Sequence, residues 1–176
     1  MKLRSAFFAV VLLLLTVTVC AAQSPMGFSP TEFYTLFDMV NDAFEGPDCI
    51  YMKGDEEEGA FIINSDTLGL NMIYSDDQVT ELYFYYKYLD GDEDASNDTI
   101  AVAVSTLTSL WAVSQLKAGV DFDTIDGTDA FSEILAAYVL ISISEEPSSY
   151  WGYRFEMITR EEDGYKEGLM YVTMES

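Results

Sequence analysis

Carboxylates are the chain's main chemical resource, and their densest run is Asp90-Gly91-Asp92-Glu93-Asp94-Ala95-Ser96-Asn97-Asp98. Asp90, Asp92 and Asp94 alternate as in the opening of a calcium loop, where hard oxygen ligands gather around the ion. The pattern then stops. A calcium loop needs glycine at its sixth position and a bidentate glutamate at its twelfth, and those places hold Ala95 and Ala101. The run reads better as a solvated acidic loop whose Asn97 or Asp98 caps the next helix. A second acidic group, Asp121, Asp123, Asp126 and Asp129, lies before and within the start of a further helix, where negative charge is favourable in its own right.

No complete catalytic set emerges. Histidine is absent, which removes the usual general base, the Ser-His and Cys-His pairs and the commonest transition-metal ligand. Ser114-Gln115-Leu116-Lys117 has the letters of a Ser-Lys catalyst without its companion motifs. Paired carboxylates could hydrolyse glycosides, but with 31 acidic residues some pair always falls at a suitable spacing. The residues therefore point to a non-enzyme with no cofactor. The alternative is a carboxylate-based, calcium-assisted hydrolase.

The N-terminus supplies the clearest functional statement. Met1-Lys2-Leu3-Arg4 is basic, Ala6 to Val19 is an apolar run, and Ala21-Ala22 are small. That three-part layout is a secretory signal peptide over 1–22, so the protein is expected to be exported, to a periplasm or the medium. A retained helix would want a basic stop-transfer cluster after the run. A lipid anchor at Cys20 would want a small residue where Val19 stands. The reading adopted is simple cleavage, leaving no membrane span in the mature form. Cys49 is then the only thiol, so no intramolecular disulfide can form, and a buried, inert thiol is expected.

The charge bounds the partners. Eight basic residues against 31 acidic ones give a formal net charge of −23, which repels nucleic acid and anionic lipid. Cationic partners remain compatible.

Residues 23–28 read as a short, loosely held linker, and 29–176 as one domain. Ser29-Pro30-Thr31-Glu32 is a helix start with a capping box, followed by Phe33, Leu36, Phe37, Val40 and Phe44 at helical spacing. Four strand-like runs follow: 49–53, 60–64, 68–74 and 79–89. Thr99 to Ala118 and Thr128 to Ser142 read as helices, the second with Phe131, Ile134, Leu135 and Tyr138 inward. Tyr150 to Arg160 and Tyr165 to Met174 form a hairpin closed by Asp163-Gly164, a strong turn signal. The order α-β-β-β-β-α-α-β-β predicts an α+β fold: an antiparallel sheet of about six strands with helices packed on one face. This order resembles the YbjN and type III secretion chaperone-like arrangement, in which a helix precedes three strands and later helices and strands complete a sheet. The resemblance implies a chaperone-like module.

Strand alternation locates a candidate contact surface. Leu82, Phe84, Tyr86 and Tyr88 fall on one face of the longest strand, and Val79, Glu81, Tyr83, Tyr85 and Lys87 on the other. The first set suits the core. The second, with Arg154 from the last hairpin and Tyr51, suits an open face, where tyrosines are low-entropy contact residues for a protein or other ligand. A non-catalytic binding or accessory module is the function this predicts.

Overall fold

The computed structural model describes residues 25–121 and 127–175. The leader expected at 1–22 lies outside the described residues, as do Asp123 and Asp126. Helix α1 (Pro30–Ala43) opens on the capping box that its sequence encodes: Glu32 N donates to Ser29 Oγ at 3.2 Å, and Ser29 N donates to Glu32 Oε2 at 2.7 Å. Its Phe33 and Phe37 are fully buried. Residues 25–28, the described part of the expected linker, are not loosely held. Met26 N donates to Val79 O, Val79 N donates to Phe28 O, and both Met26 and Phe28 are buried. Two large apolar side chains gain more from the core than a free tail would keep in entropy.

Strands β1 (Ile50–Lys53), β2 (Ala60–Ser65), β3 (Leu68–Ser75) and β4 (Gln78–Leu89) form a meander. Helices α2 (Glu93–Lys117) and α3 (Gly127–Ile143) follow, then β5 (Ser148–Tyr150), β6 (Tyr153–Glu162) and β7 (Tyr165–Met174). The fold is α+β, with one antiparallel sheet in the order β1-β2-β3-β4-β7-β6-β5. The seventh strand, β5, joins β6 through Trp151-Gly152, both at positive φ. A tryptophan in the left-handed region is not a sequence signal for a turn, which is why the sequence pattern gives one strand from Tyr150 to Arg160 and no separate β5. Trp151 Nε1 donates to Glu133 Oε1 of α3 at 2.6 Å.

The three helices among the described residues share one core with the inner face of the sheet, where Ile62, Leu70, Phe84 and Met170 stand in register across β2, β3, β4 and β7. Helix α2 is long and apolar enough to cross a bilayer, yet 67% of its most apolar window is buried inside the fold. Its interior hydroxyls are satisfied: Thr106 Oγ1 donates to Val102 O and Ser109 Oγ to Ser105 O. It starts at Glu93, six residues before the expected Thr99, because acids in a first turn offset the helix dipole. Asp92 is its cap, accepting from Ala95 N at 3.1 Å, in place of Asn97 or Asp98. In α3 the buried stripe is Ala130, Ile134, Ala137 and Ile141, whereas Phe131 and Leu135 are exposed at 40% and 36%.

The helix-free face of the sheet as candidate functional site

Register builds the outer face row by row. One row runs Met52, Phe61, Asn71, Tyr83, Tyr171, Glu156, and the next Ile50, Ile63, Gly69, Tyr85, Leu169, Ile158. Charged rows flank them: Lys87, Glu167, Arg160 on one side and Glu81, Thr173, Arg154 on the other. The result is an apolar and aromatic band across six strands with polar margins. No described helix packs on it.

Of the residues the sequence nominated, Tyr83, Tyr85, Lys87 and Arg154 do share this face. Their environments differ from expectation. Tyr83 is only 6% exposed, stacks on Tyr171 at 4.8 Å between ring centres and donates a hydrogen bond to Glu81. It is a packed residue of the face and not a protruding anchor. Tyr85 is half-buried, and burial pushes its phenol up from the ordinary range. It lies across Gly69, where an added Cβ would stand 3.0 Å from the Tyr85 hydroxyl and 2.7 Å from Ile62 O. Lys87 pairs with Glu167 at 3.4 Å and sits 5.1 Å from the centre of the Tyr165 ring. Arg154 is exposed.

Two assignments are corrected. Tyr51 stands opposite Ile62, on the helix-bearing face, and stacks on Tyr34 of α1 at 4.5 Å. A lone residue in a four-residue strand has too little alternation around it to fix its face. Val79 belongs to the core, fully buried, because a bulge opposite Ile73 and Tyr74 resets the alternation between Val79 and Glu81. The residues missed are Leu169, Tyr171 and Ile158. The signal for them was the alternation of the final hairpin carried through both of its strands.

No family model, curated protein or solved structure matches this chain.

The acidic candidates are engaged elsewhere. Asp90 pairs with Lys166 at 2.8 Å, and that ammonium holds its carboxyl below the ordinary range. Asp92 caps α2, and Asp94 lies in that helix's first turn. The expected acidic loop is thus mostly helix, and the alternating ligand geometry is lost. Among the described residues no cluster of three or more Asp, Glu or Cys side chains is arranged to hold a metal ion. Asp90, Asp92 and Lys166 do line a groove of about 320 Å³. Ser114 Oγ donates to Trp111 O at 2.6 Å and Lys117 Nζ to Met26 O, so these two do not form a catalytic pair. Cys49 is half-buried, where full burial was expected. Burial first, and Asp38 next, push its thiol up to about 11.

Proposed function

We propose that the chain is an exported, non-catalytic binding or accessory module that engages a protein or other ligand through the helix-free face of its sheet. The observation that carries this reading is the continuous band from Ile50 to Ile158, bordered by charged rows, on the one face that no described helix covers. Contact surfaces combine an apolar, tyrosine-bearing centre with a polar rim in this way. The net charge of −23 favours encounter with cationic partners and rejects anionic ones. Export rests on the basic, apolar and small-residue layout of 1–22.

The anchor of this face is Tyr85, with Leu169 beside it, in place of the packed Tyr83. The test is capture from the native envelope or culture medium by the immobilised protein, compared with Tyr85→Ala and Leu169→Ala. Both variants should keep the wild-type circular dichroism and lose a specifically bound species, since a binding hot spot contributes about 2 kcal/mol or more. A species retained equally by folded variants rules this face out.

A further inference from the structure

Helix α3 has an apolar side that the fold leaves unused. Its buried stripe is Ala130, Ile134, Ala137 and Ile141, and the side directly opposite carries Ser132, Leu135, Ala136, Val139, Leu140 and Ile143, all exposed. Val139, Leu140 and Ile143 are 52%, 50% and 71% exposed, and Ile143 is the most exposed large apolar residue among those described. A helix that is apolar all round is one that gets buried all round. The position of α3 leaves this side open. It is the outermost helix, packed on α2 and over β6. Phe44 meets Phe131 on one flank and Trp151 meets Glu133 on the other. The chain leaves the helix at Ser144 for β5 in the sheet. Charge then selects the occupant. No residue from Ile134 to Ser144 is charged. In a chain of formal charge −23, this is a surface where a second acidic copy can approach without setting carboxylate against carboxylate.

We propose that α3 pairs antiparallel with α3 of a second copy, about a two-fold axis level with the Ala137–Tyr138 peptide. The centre of the open side reads Ser132, Ala136, Val139, Ile143, a four-three-four spacing that is the seam of a coiled coil. Small side chains occupy its first half and large ones its second. Turned about the axis, Ser132 meets Ile143 of the other copy and Ala136 meets Val139, so every layer sets a small residue against a large one. Leu135 closes one flank of the seam and Leu140 the other. Covering this side in both copies removes roughly 1,000 Å² from water, the lower bound for a specific interface.

The competing arrangements fit less well. A parallel pair sets Ser132 and Ala136 against themselves, which leaves a gap at one end, and aligns the two helix dipoles unfavourably. Sliding the antiparallel pair by one heptad in one direction brings Asp129 onto Val139. Sliding it in the other brings Val139 onto Ile143 and the Glu146 turn onto Ala136. The contact lies apart from the helix-free face of the sheet, so it stands or falls independently of the function proposed for that face.

Sedimentation equilibrium of the protein as purified from its expressing cells tests the pairing. At about 0.15 M salt the screening length of roughly 8 Å mutes the repulsion between two acidic copies. Wild type should dimerise. Val139→Glu sets a carboxylate in both copies of the seam and should weaken the dimer about tenfold or more while keeping the wild-type circular dichroism. Met39→Glu on α1 and Leu169→Ala on the sheet should leave the dimer unchanged. Register is read by cross-linking, with Cys49→Ser as background. Ser132→Cys and Ile143→Cys together should give disulfide-linked dimers on mild oxidation, and neither alone should. Each single cysteine lies 11 residues, about 16 Å, along the seam from its own copy, beyond disulfide reach. A monomer at up to about 1 mM, a dimer indifferent to Val139→Glu or lost in Leu169→Ala, or single cysteines that cross-link as well as the pair would each overturn the proposal. A monomer that floats with phosphatidylcholine vesicles through Val139 would overturn it in favour of a lipid surface.

Discussion

Tyr83 shows how a residue's partners outrank its place in a pattern. Alternation puts it on the outer face, and the structure agrees, yet its ring is covered by Tyr171 and its hydroxyl is held by Glu81. Removing it opens space beside a carboxylate that is itself only 8% exposed. Tyr83→Ala should therefore destabilise the fold by about 3 kcal/mol, as large-to-small changes at packed aromatics do. Tyr85→Ala, at a half-buried site, should lose clearly less. Urea unfolding of the two variants decides this, and equal small effects would mean that Tyr83 is not packed as described.

The glycines in the strands carry the argument at the level of elements. Gly69 lets β3 run close against β2 while the Tyr85 ring lies over it, and Gly168 does the same for Tyr86 on the inner face. A methyl group at residue 69 would meet backbone, which cannot step aside. Gly69→Ala is expected to cost about 2 kcal/mol, in the range of overpacked cores. Gly127→Ala, with open space around it at the start of α3, should be neutral or slightly stabilising. If denaturant melts rank the two the other way, the β2–β3 packing is wrong. Elements with a strong local code were legible beforehand: the capping box of α1, the Asp163-Gly164 hairpin and the alternation in β4 from Leu82 to Tyr86. Those that tertiary contacts decide were not. The Trp151-Gly152 turn depends on Glu133 holding the indole, and the β4 bulge depends on pairing with β3. The early start of α2 depends on acids that composition assigns to solvent. The candidate face was half legible for the same reason, since alternation gives the face of a side chain and not what lies against it.

For the molecule as a whole, charge is the governing term. A formal −23 on a fold of this size means self-repulsion that burial must overcome. Screening acts on that repulsion, whose reach falls from roughly 30 Å at 0.01 M salt to about 8 Å at 0.15 M. Added salt should therefore raise the melting temperature. Individual carboxylates modulate the response to pH with opposite signs. Glu32 is held below the ordinary range by its hydrogen bonds to Ser29, and Asp90 by its hydrogen bond to Lys166. Their contribution is present above the unfolded carboxylate pKa and is lost as pH falls through their depressed values. Asp98 is raised, by burial first and by Asp94 and Asp92 next. It binds its proton more readily in the folded chain, so stability rises as pH falls through its elevated value. Relief of net repulsion adds to the Asp98 effect as the chain approaches its isoelectric point near 4.1. At low salt the melting temperature should climb on mild acidification from neutrality, then fall once the Glu32 and Asp90 partnerships are protonated, and high salt should flatten the climb. Scanning calorimetry across pH at two salt concentrations measures this. A melting temperature that drops steadily from pH 7 downward at low salt would show that the paired carboxylates outweigh the repulsion.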